Sequence, residues 1–164
     1  MQPPLRVLGI DPGSHHTGWG VVERRGTSLV LVACGTISPK GSLPLATRLA
    51  EIAAGVREVC ERERPDAVSV EKVFQSVNAR AALVLGQARG AAFAATGGAL
   101  PVHEYAPSEI KRAVTGNGRA AKEQVSRMVG LLLGVGSPGD EHACDALAAA
   151  ICHLHRARAL EVAS

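Results

Sequence analysis

The fold of this chain is decided by one stretch near its start, Leu5-Arg6-Val7-Leu8-Gly9-Ile10-Asp11-Pro12-Gly13. Its apolar run at 7–10 is typical of a strand buried in the middle of a sheet. The Pro-Gly pair then turns the chain, and residues 18–22 are predicted to return beside the first strand as a hairpin. Asp11 stands at the edge of this apolar surface, where an ionised carboxylate is costly unless a cation or hydrogen-bond donors meet it. Two interpretations are open: Asp11 marks the site of a metal ion or a phosphate, or it only caps its own turn.

The composition is that of a globular protein. Of the 164 residues, 46% are hydrophobic and 20% are charged, which excludes a disordered chain. A chain of this length buries roughly 70% of the surface that its unfolded form exposes. We therefore expect one domain over residues 1–164, with a frayed tail at 158–164. The net charge of +3 allows a polyanionic partner but does not require one.

Cysteine usage and hydropathy bear on the compartment. None of the four cysteines stands in a CxxC pair, which indicates buried thiols in a reducing environment. No signal-peptide pattern is visible at the start, and the apolar stretches are too short or too often interrupted by glycine to cross a bilayer. The prediction is a cytoplasmic protein without a membrane association.

The remaining signals predict a third strand, then helix, strand, helix, strand and three helices. The predicted strands after the hairpin are 28–37, 67–70 and 101–105, and the predicted helices are 42–64, 78–96, 107–114, 121–133 and 140–158. A three-stranded antiparallel meander joined to two parallel strands by right-handed crossovers gives an α/β fold. We expect a mixed five-stranded sheet with helices on both faces.

Two of the predicted strands end in carboxylates, Asp11 and Glu71. The carboxyl ends of parallel strands meet at one edge of a sheet, and adjacent strands run about 5 Å apart, so these side chains could share an ion. His142 and Asp145 are three residues apart and lie on one face of the last helix. Asp140 is explained by the helix N-terminus alone, whereas Asp145 lies further in and is a weak helix former.

Three acids converging with one histidine are the ligand set of a hard divalent cation such as Mg²⁺ or Mn²⁺. Two such ions about 4 Å apart stabilise both the attacking water and the leaving oxygen in phosphodiester cleavage. This chemistry needs no covalent nucleophile, and no serine or cysteine stands in an evident His/Asp arrangement. Basic residues meanwhile cluster around the Gly116-Asn117-Gly118 loop, where a mobile segment could close on a phosphate backbone. These basic residues are Lys111, Arg112, Arg119, Lys122 and Arg127. Taken singly, each of them is also explained as an ordinary surface charge.

Four motifs in order along the chain resemble the RuvC family of bacterial Holliday junction resolvases. They are Gly9-Ile10-Asp11-Pro12-Gly13 with Thr17-Gly18-Trp19-Gly20, Val70-Glu71-Lys72-Val73-Phe74, Leu85-Gly86-Gln87-Ala88-Arg89-Gly90, and Asp145-Ala146-Leu147-Ala148-Ala149-Ala150. The resemblance implies a ribonuclease H-like fold and Mg²⁺-dependent nicking of four-way DNA junctions. It also implies a homodimer that acts with the RuvA–RuvB branch-migration motor.

The resemblance carries the family's catalytic acids to Asp11, Glu71 and Asp145, and its fourth site, an acid or a histidine, to His142. Whether His142 is a metal ligand or a proton-transfer group stays open, and its softer imidazole makes Mn²⁺ plausible beside Mg²⁺. Lys111 and Lys122 are placed as DNA contacts. Phe74, one of only four aromatic residues, either stacks on an unpaired base at the junction or anchors its loop to the core.

A two-fold dimer would supply the two matched nicks that junction resolution needs. The small residues of the 78–96 helix suit such a contact, or close packing within one domain. Other functions are an ATP-binding domain of the actin and sugar-kinase type, a ribonuclease H-like enzyme that processes structured RNA, and a junction-binding protein that does not cut. An ATP-binding domain would require another domain and another phosphate loop. The motifs after Glu71 fit poorly with an RNA-processing enzyme, and the complete set of acids counts against a protein that binds junctions without cutting them.

Overall fold

The computed structural model describes residues 4–73 and 78–163, with side chains described to residue 160. The strands are β1 (Leu5–Asp11), β2 (Thr17–Arg25), β3 (Ser28–Ile37), β4 (Ala67–Glu71) and β5 (Val102–Tyr105). The helices are α1 (Leu45–Glu63), α2 (Ala79–Ala95), α3 (Pro107–Thr115), α4 (Lys122–Leu133) and α5 (Glu141–Ala163). Within the described residues, no helix has the length and apolarity that a membrane span requires.

The five strands form one mixed sheet in the order β3-β2-β1-β4-β5. β1, β2 and β3 pair antiparallel, whereas β4 runs parallel to β1 and β5 runs parallel to β4. The predicted meander with two added parallel strands is therefore confirmed, and β1 lies at the centre, as its apolar run indicated.

Successive side chains of β1 point to opposite faces of the sheet, as the period of a strand requires. Leu8 and Ile10 pack with α1 and α2, whereas Val7 packs with α3, α4 and α5. The helices thus cover both faces, as predicted. Gly9 lies on the second face, and a Cβ placed there would come within 1.7 Å of the Ala146 carbonyl oxygen. The absence of a side chain at Gly9 is what lets α5 lie directly on the sheet.

Helix α5 continues to Ala163, five residues beyond the predicted end. Its last turns consist mostly of alanine, leucine and glutamate, which favour helix, and contain neither glycine nor proline. Helix α2 begins one residue later than predicted, because Asn78 serves as its N-cap and accepts a hydrogen bond from the amide of Ala81 at 2.8 Å.

A buried histidine links α5 to β5. Nδ1 of His153 lies 2.7 Å from the Tyr105 hydroxyl, and its ring stacks on His103 with centroids 4.1 Å apart. Burial, and then the charge of His103, lower the pKa of His153 to about 4. The folded chain therefore favours the neutral form of the His153 imidazole.

We expect His153 alone to reduce the free energy of unfolding by up to about 3 kcal/mol between pH 6.5 and pH 4. The unfolded chain protonates this side chain near pH 6.5 and the folded chain only near pH 4, so acid favours unfolding across that window. Denaturant unfolding of the wild type and of His153→Gln, from pH 4 to pH 7, measures this contribution as the difference between the two curves. Identical pH dependence of the two proteins would contradict the prediction.

Candidate active site

Asp11 and Glu71 are the last residues of two neighbouring parallel strands. In the register of β1 with β4, Gly9 pairs with Ser69 and Ile10 with Val70, so one further step places the two acids side by side. The hydroxyl of Ser69 donates to the Ala149 carbonyl at 2.6 Å, which shows that alternate residues of β4 face α5. Both carboxylates therefore lie on the α5 face of the sheet, at one edge.

The first turns of α5 bring His142 and Asp145 to the same edge. The helix approaches β2 closely at Gly18, where a Cβ would lie 2.0 Å from the His142 carbonyl oxygen. This contact aims the His142 side chain at β1, and its Nδ1 lies 3.2 Å from Oδ2 of Asp11. The spacing of three along the helix directs Asp145 to the same side.

A cleft of about 300 Å³ opens between these elements. Apolar residues of β1, α3, α4 and α5 form part of its lining. The rest includes five of the predicted site residues, which are Asp11, Glu71, Lys111, Lys122 and Asp145. His142 touches Asp11 from outside this lining. Arg112 and Arg119 are exposed beside the 116–118 turn and do not line the cleft. Phe74 lies outside the described residues, so its predicted role stays a prediction.

Burial and neighbouring acids raise the pKa values of two carboxylates in the cleft, those of Asp11 and Glu71. Burial raises the pKa of Asp11, the hydrogen bond with His142 opposes this, and the charge of Asp145 raises the pKa further. Burial and then the charges of Asp11 and Asp145 raise the pKa of Glu71, whereas the charges of Lys111 and Lys122 lower it. Repulsion from a neighbouring acid is relieved by a cation bound among the carboxylates.

Lys122 supplies part of that positive charge. Its ammonium contacts Oε1 of Glu141 and lies 3.1 Å from Oδ2 of Asp145. The hydrogen bond with Glu141 is the main cause that raises the pKa of Lys122. Among the side chains of residues 4–73 and 78–160, no three of His, Cys, Asp or Glu lie close enough together to hold a metal ion. A metal ion bound by Asp145 therefore has to compete with the ammonium of Lys122.

Three contacts at this edge were not predicted. The ring of His16 stacks on that of His142 with centroids 5.1 Å apart. Glu141 shares the ammonium of Lys122, and Nη1 of Arg89 donates to the Glu71 carbonyl at 2.8 Å. The pair His15-His16, directly after the glycine turn, is a signal that could have drawn attention to His16.

Known proteins share this arrangement of sequence and fold. The family model described as crossover junction endodeoxyribonuclease RuvC matches residues 7–153. The protein of that name from Anaeromyxobacter sp. strain Fw109-5 is 55% identical over 92% of this chain and 73% of its own length. The chain belongs to the RuvC family. The RuvC protein of Oleidesulfovibrio alaskensis is 52% identical over 98% of this chain and 96% of its own.

The fold agrees with the family. T. thermophilus RuvC in complex with a Holliday junction substrate superimposes with a TM-score of 0.89, at 39% identity, over 94% of this chain and 96% of that one. The predicted ribonuclease H-like fold is confirmed. As a RuvC-family protein the chain is an endodeoxyribonuclease that depends on divalent metal ions, and the ATP-binding and RNA-processing alternatives are not favoured.

Proposed function

We propose that this protein resolves four-way DNA junctions by paired, symmetric nicks, in recombination and DNA repair, with Asp11, Glu71 and Asp145 as its catalytic acids. The observation that carries the proposal is the meeting of three carboxylates, from β1, β4 and α5, in one cleft where neighbouring acids raise the pKa values of Asp11 and Glu71. The T. thermophilus relative with its junction substrate supports the substrate class.

The donor set of the cleft fits Mg²⁺ or Mn²⁺, because carboxylate oxygens are the ligands that these hard ions prefer. Asp11, Glu71 and Asp145 would hold the ions, with His142 as a fourth ligand or as a proton-transfer group. Two ions bound there would activate a water and neutralise the charge on the leaving oxygen. The imidazole of His142 is a softer ligand than a carboxylate, so Mn²⁺ would work at least as well as Mg²⁺.

The two lysines of the cleft would hold the phosphate backbone. Lys111 on α3 and Lys122 on α4 both line it beside the acids. The ammonium of Lys122 contacts both Glu141 and Asp145. If it moved to a phosphate of the DNA, Asp145 would be released to bind a metal ion. Glu141 would remain available as a second partner for the ammonium. The exposed Arg112 and Arg119 would extend the basic surface along the DNA, and Phe74 would stack on a base at the junction centre.

Two matched nicks require two sites, so we propose a homodimer with two-fold symmetry, acting with the RuvA–RuvB complex. Helix α2 is the candidate contact: a Cβ built at Gly86 or Gly90 meets no atom within 4 Å, and Leu83 is 69% exposed. Residues 1–164 would form one domain, since helices on both faces pack on a single sheet. A cytoplasmic location is proposed as well, because the proposed substrate is junction DNA.

The decisive experiment is a cleavage assay on a synthetic four-way junction, beside a linear duplex of the same arm sequence and a structured RNA. With Mg²⁺ or Mn²⁺ present, we expect paired nicks in the junction, at symmetric positions, and little cutting of the other two substrates. A chelator should abolish cutting but leave junction binding intact. Equal cutting of the duplex, or preferential cutting of RNA, would overturn the proposal.

A further inference from the structure

A chain of side-chain contacts leads from the end of β3 to the catalytic cleft. The Ser38 hydroxyl lies 2.9 Å from Nδ1 of His16. The His16 ring stacks on the His142 ring, with centroids 5.1 Å apart and planes inclined by 22°. Nδ1 of His142 in turn lies 3.2 Å from Oδ2 of Asp11. We propose that His16 is a positioning residue that holds the imidazole of His142 against Asp11.

His142 needs such support because only its backbone is fixed by packing. The close approach of α5 to Gly18 sets where its Cα and Cβ lie, but the ring beyond can still turn about χ1 and χ2. Its side chain is 38% exposed, and the contact with Asp11 holds one edge of the ring. Stacking on the face of the ring removes the remaining rotation, as outer contacts commonly do for metal-binding histidines.

His16 can give this support because its own position is fixed. The turn before it is closed by Thr17, whose hydroxyl donates to the Gly13 carbonyl at 2.8 Å. Thr17 pairs with Ile37 across β2 and β3, so one step further places His16 opposite Ser38. The Ser38 hydroxyl then bonds the His16 ring from the neighbouring strand and sets its plane.

The adjacent histidine provides a matched control. His15 is also exposed and lies on the same turn, but its ring nitrogens lie 3.0 and 3.1 Å from Nη1 of Arg48 on α1. The structure shows no contact between His15 and His142. His15→Ala therefore removes an imidazole from the same turn and leaves the stack on His142 in place.

This inference rests on the proposed function where it concerns the metal, so two readouts are needed. The first is the chemical shift of the His142 ring, measured by NMR at one fixed pH on histidine-labelled protein. His16→Ala should move the His142 resonances, and His15→Ala should not. The second is Mn²⁺ affinity by calorimetry, which we expect to fall about tenfold in His16→Ala. His16→Phe keeps a stacking ring and should restore the affinity close to the wild-type value.

The outcomes separate the positioning role from the alternatives. Unchanged His142 resonances in His16→Ala would overturn it, and so would a loss of affinity that His16→Phe fails to restore. A higher KM for junction DNA with unchanged kcat and Mn²⁺ affinity would make His16 a DNA contact and would also overturn it. If His142→Ala keeps full Mn²⁺ affinity, the metal-ligand role of His142 fails, while the His142 resonances still decide whether His16 positions the ring.

Discussion

Glu71→Gln is expected to slow junction cutting by at least about 10³-fold while junction binding persists. A metal-holding carboxylate contributes several kcal/mol to the stabilisation of the transition state, and each 1.36 kcal/mol is a factor of ten in rate. Glutamine has the same shape, and the pKa of Glu71, raised by burial and by its acidic neighbours, means that the neutral side chain suits the folded chain. The loss should therefore fall on the chemical step and not on folding.

The measurement is single-turnover cutting of a synthetic junction with enzyme in excess, beside a gel-shift titration in a chelator. Glu104→Gln is the matched control, because Glu104 stands on the neighbouring strand in register with Val70 and thus faces away from the cleft. Its partner Arg89 keeps its bond to the Glu71 carbonyl. We expect this control to cut at close to the wild-type rate. Near wild-type cutting by Glu71→Gln would remove Glu71 from the proposed catalytic acids.

The part of this site that could be predicted from the sequence depends on local rules. An apolar run that ends in an acid indicates a buried strand with a carboxylate at its edge, and parallel strands bring such ends together. These two rules are sufficient to predict that Asp11 and Glu71 lie close together. The fixed geometry of a helix likewise placed His142 and Asp145 on one face, whatever the helix packs against.

The contacts that sequence reasoning missed depend on how separate elements meet. The stack of His16 on His142 requires the register of β2 with β3 and also the close approach of α5 at Gly18. The ion pair of Lys122 with Asp145 requires the relative placement of α4 and α5, which are joined by a link rich in glycine. A periodicity along one element carries no information about either.

Gly9→Ala is expected to destabilise the fold by more than about 3 kcal/mol. The added methyl group would collide with the backbone of α5, which cannot move aside by changing a side-chain rotamer. The added Cβ would lie 1.7 Å from the oxygen and 2.7 Å from the carbonyl carbon of Ala146. Helix α5 would have to move away from β1, and it carries His142 and Asp145 with it. The substitution should therefore reduce cutting as well as stability, although Gly9 does not line the cleft.

Denaturant unfolding and single-turnover cutting, measured on the same preparations, test this coupling. Gly136→Ala is the control, because a Cβ at Gly136 meets no atom within 4 Å and should change the free energy of unfolding by less than about 0.5 kcal/mol. If the Gly9→Ala protein cannot be isolated while Gly136→Ala is purified normally under the same conditions, that failure is itself the expected loss of stability. Wild-type stability in Gly9→Ala would contradict the direct packing of α5 on β1, and with it the reason that the acids of strand and helix share one cleft.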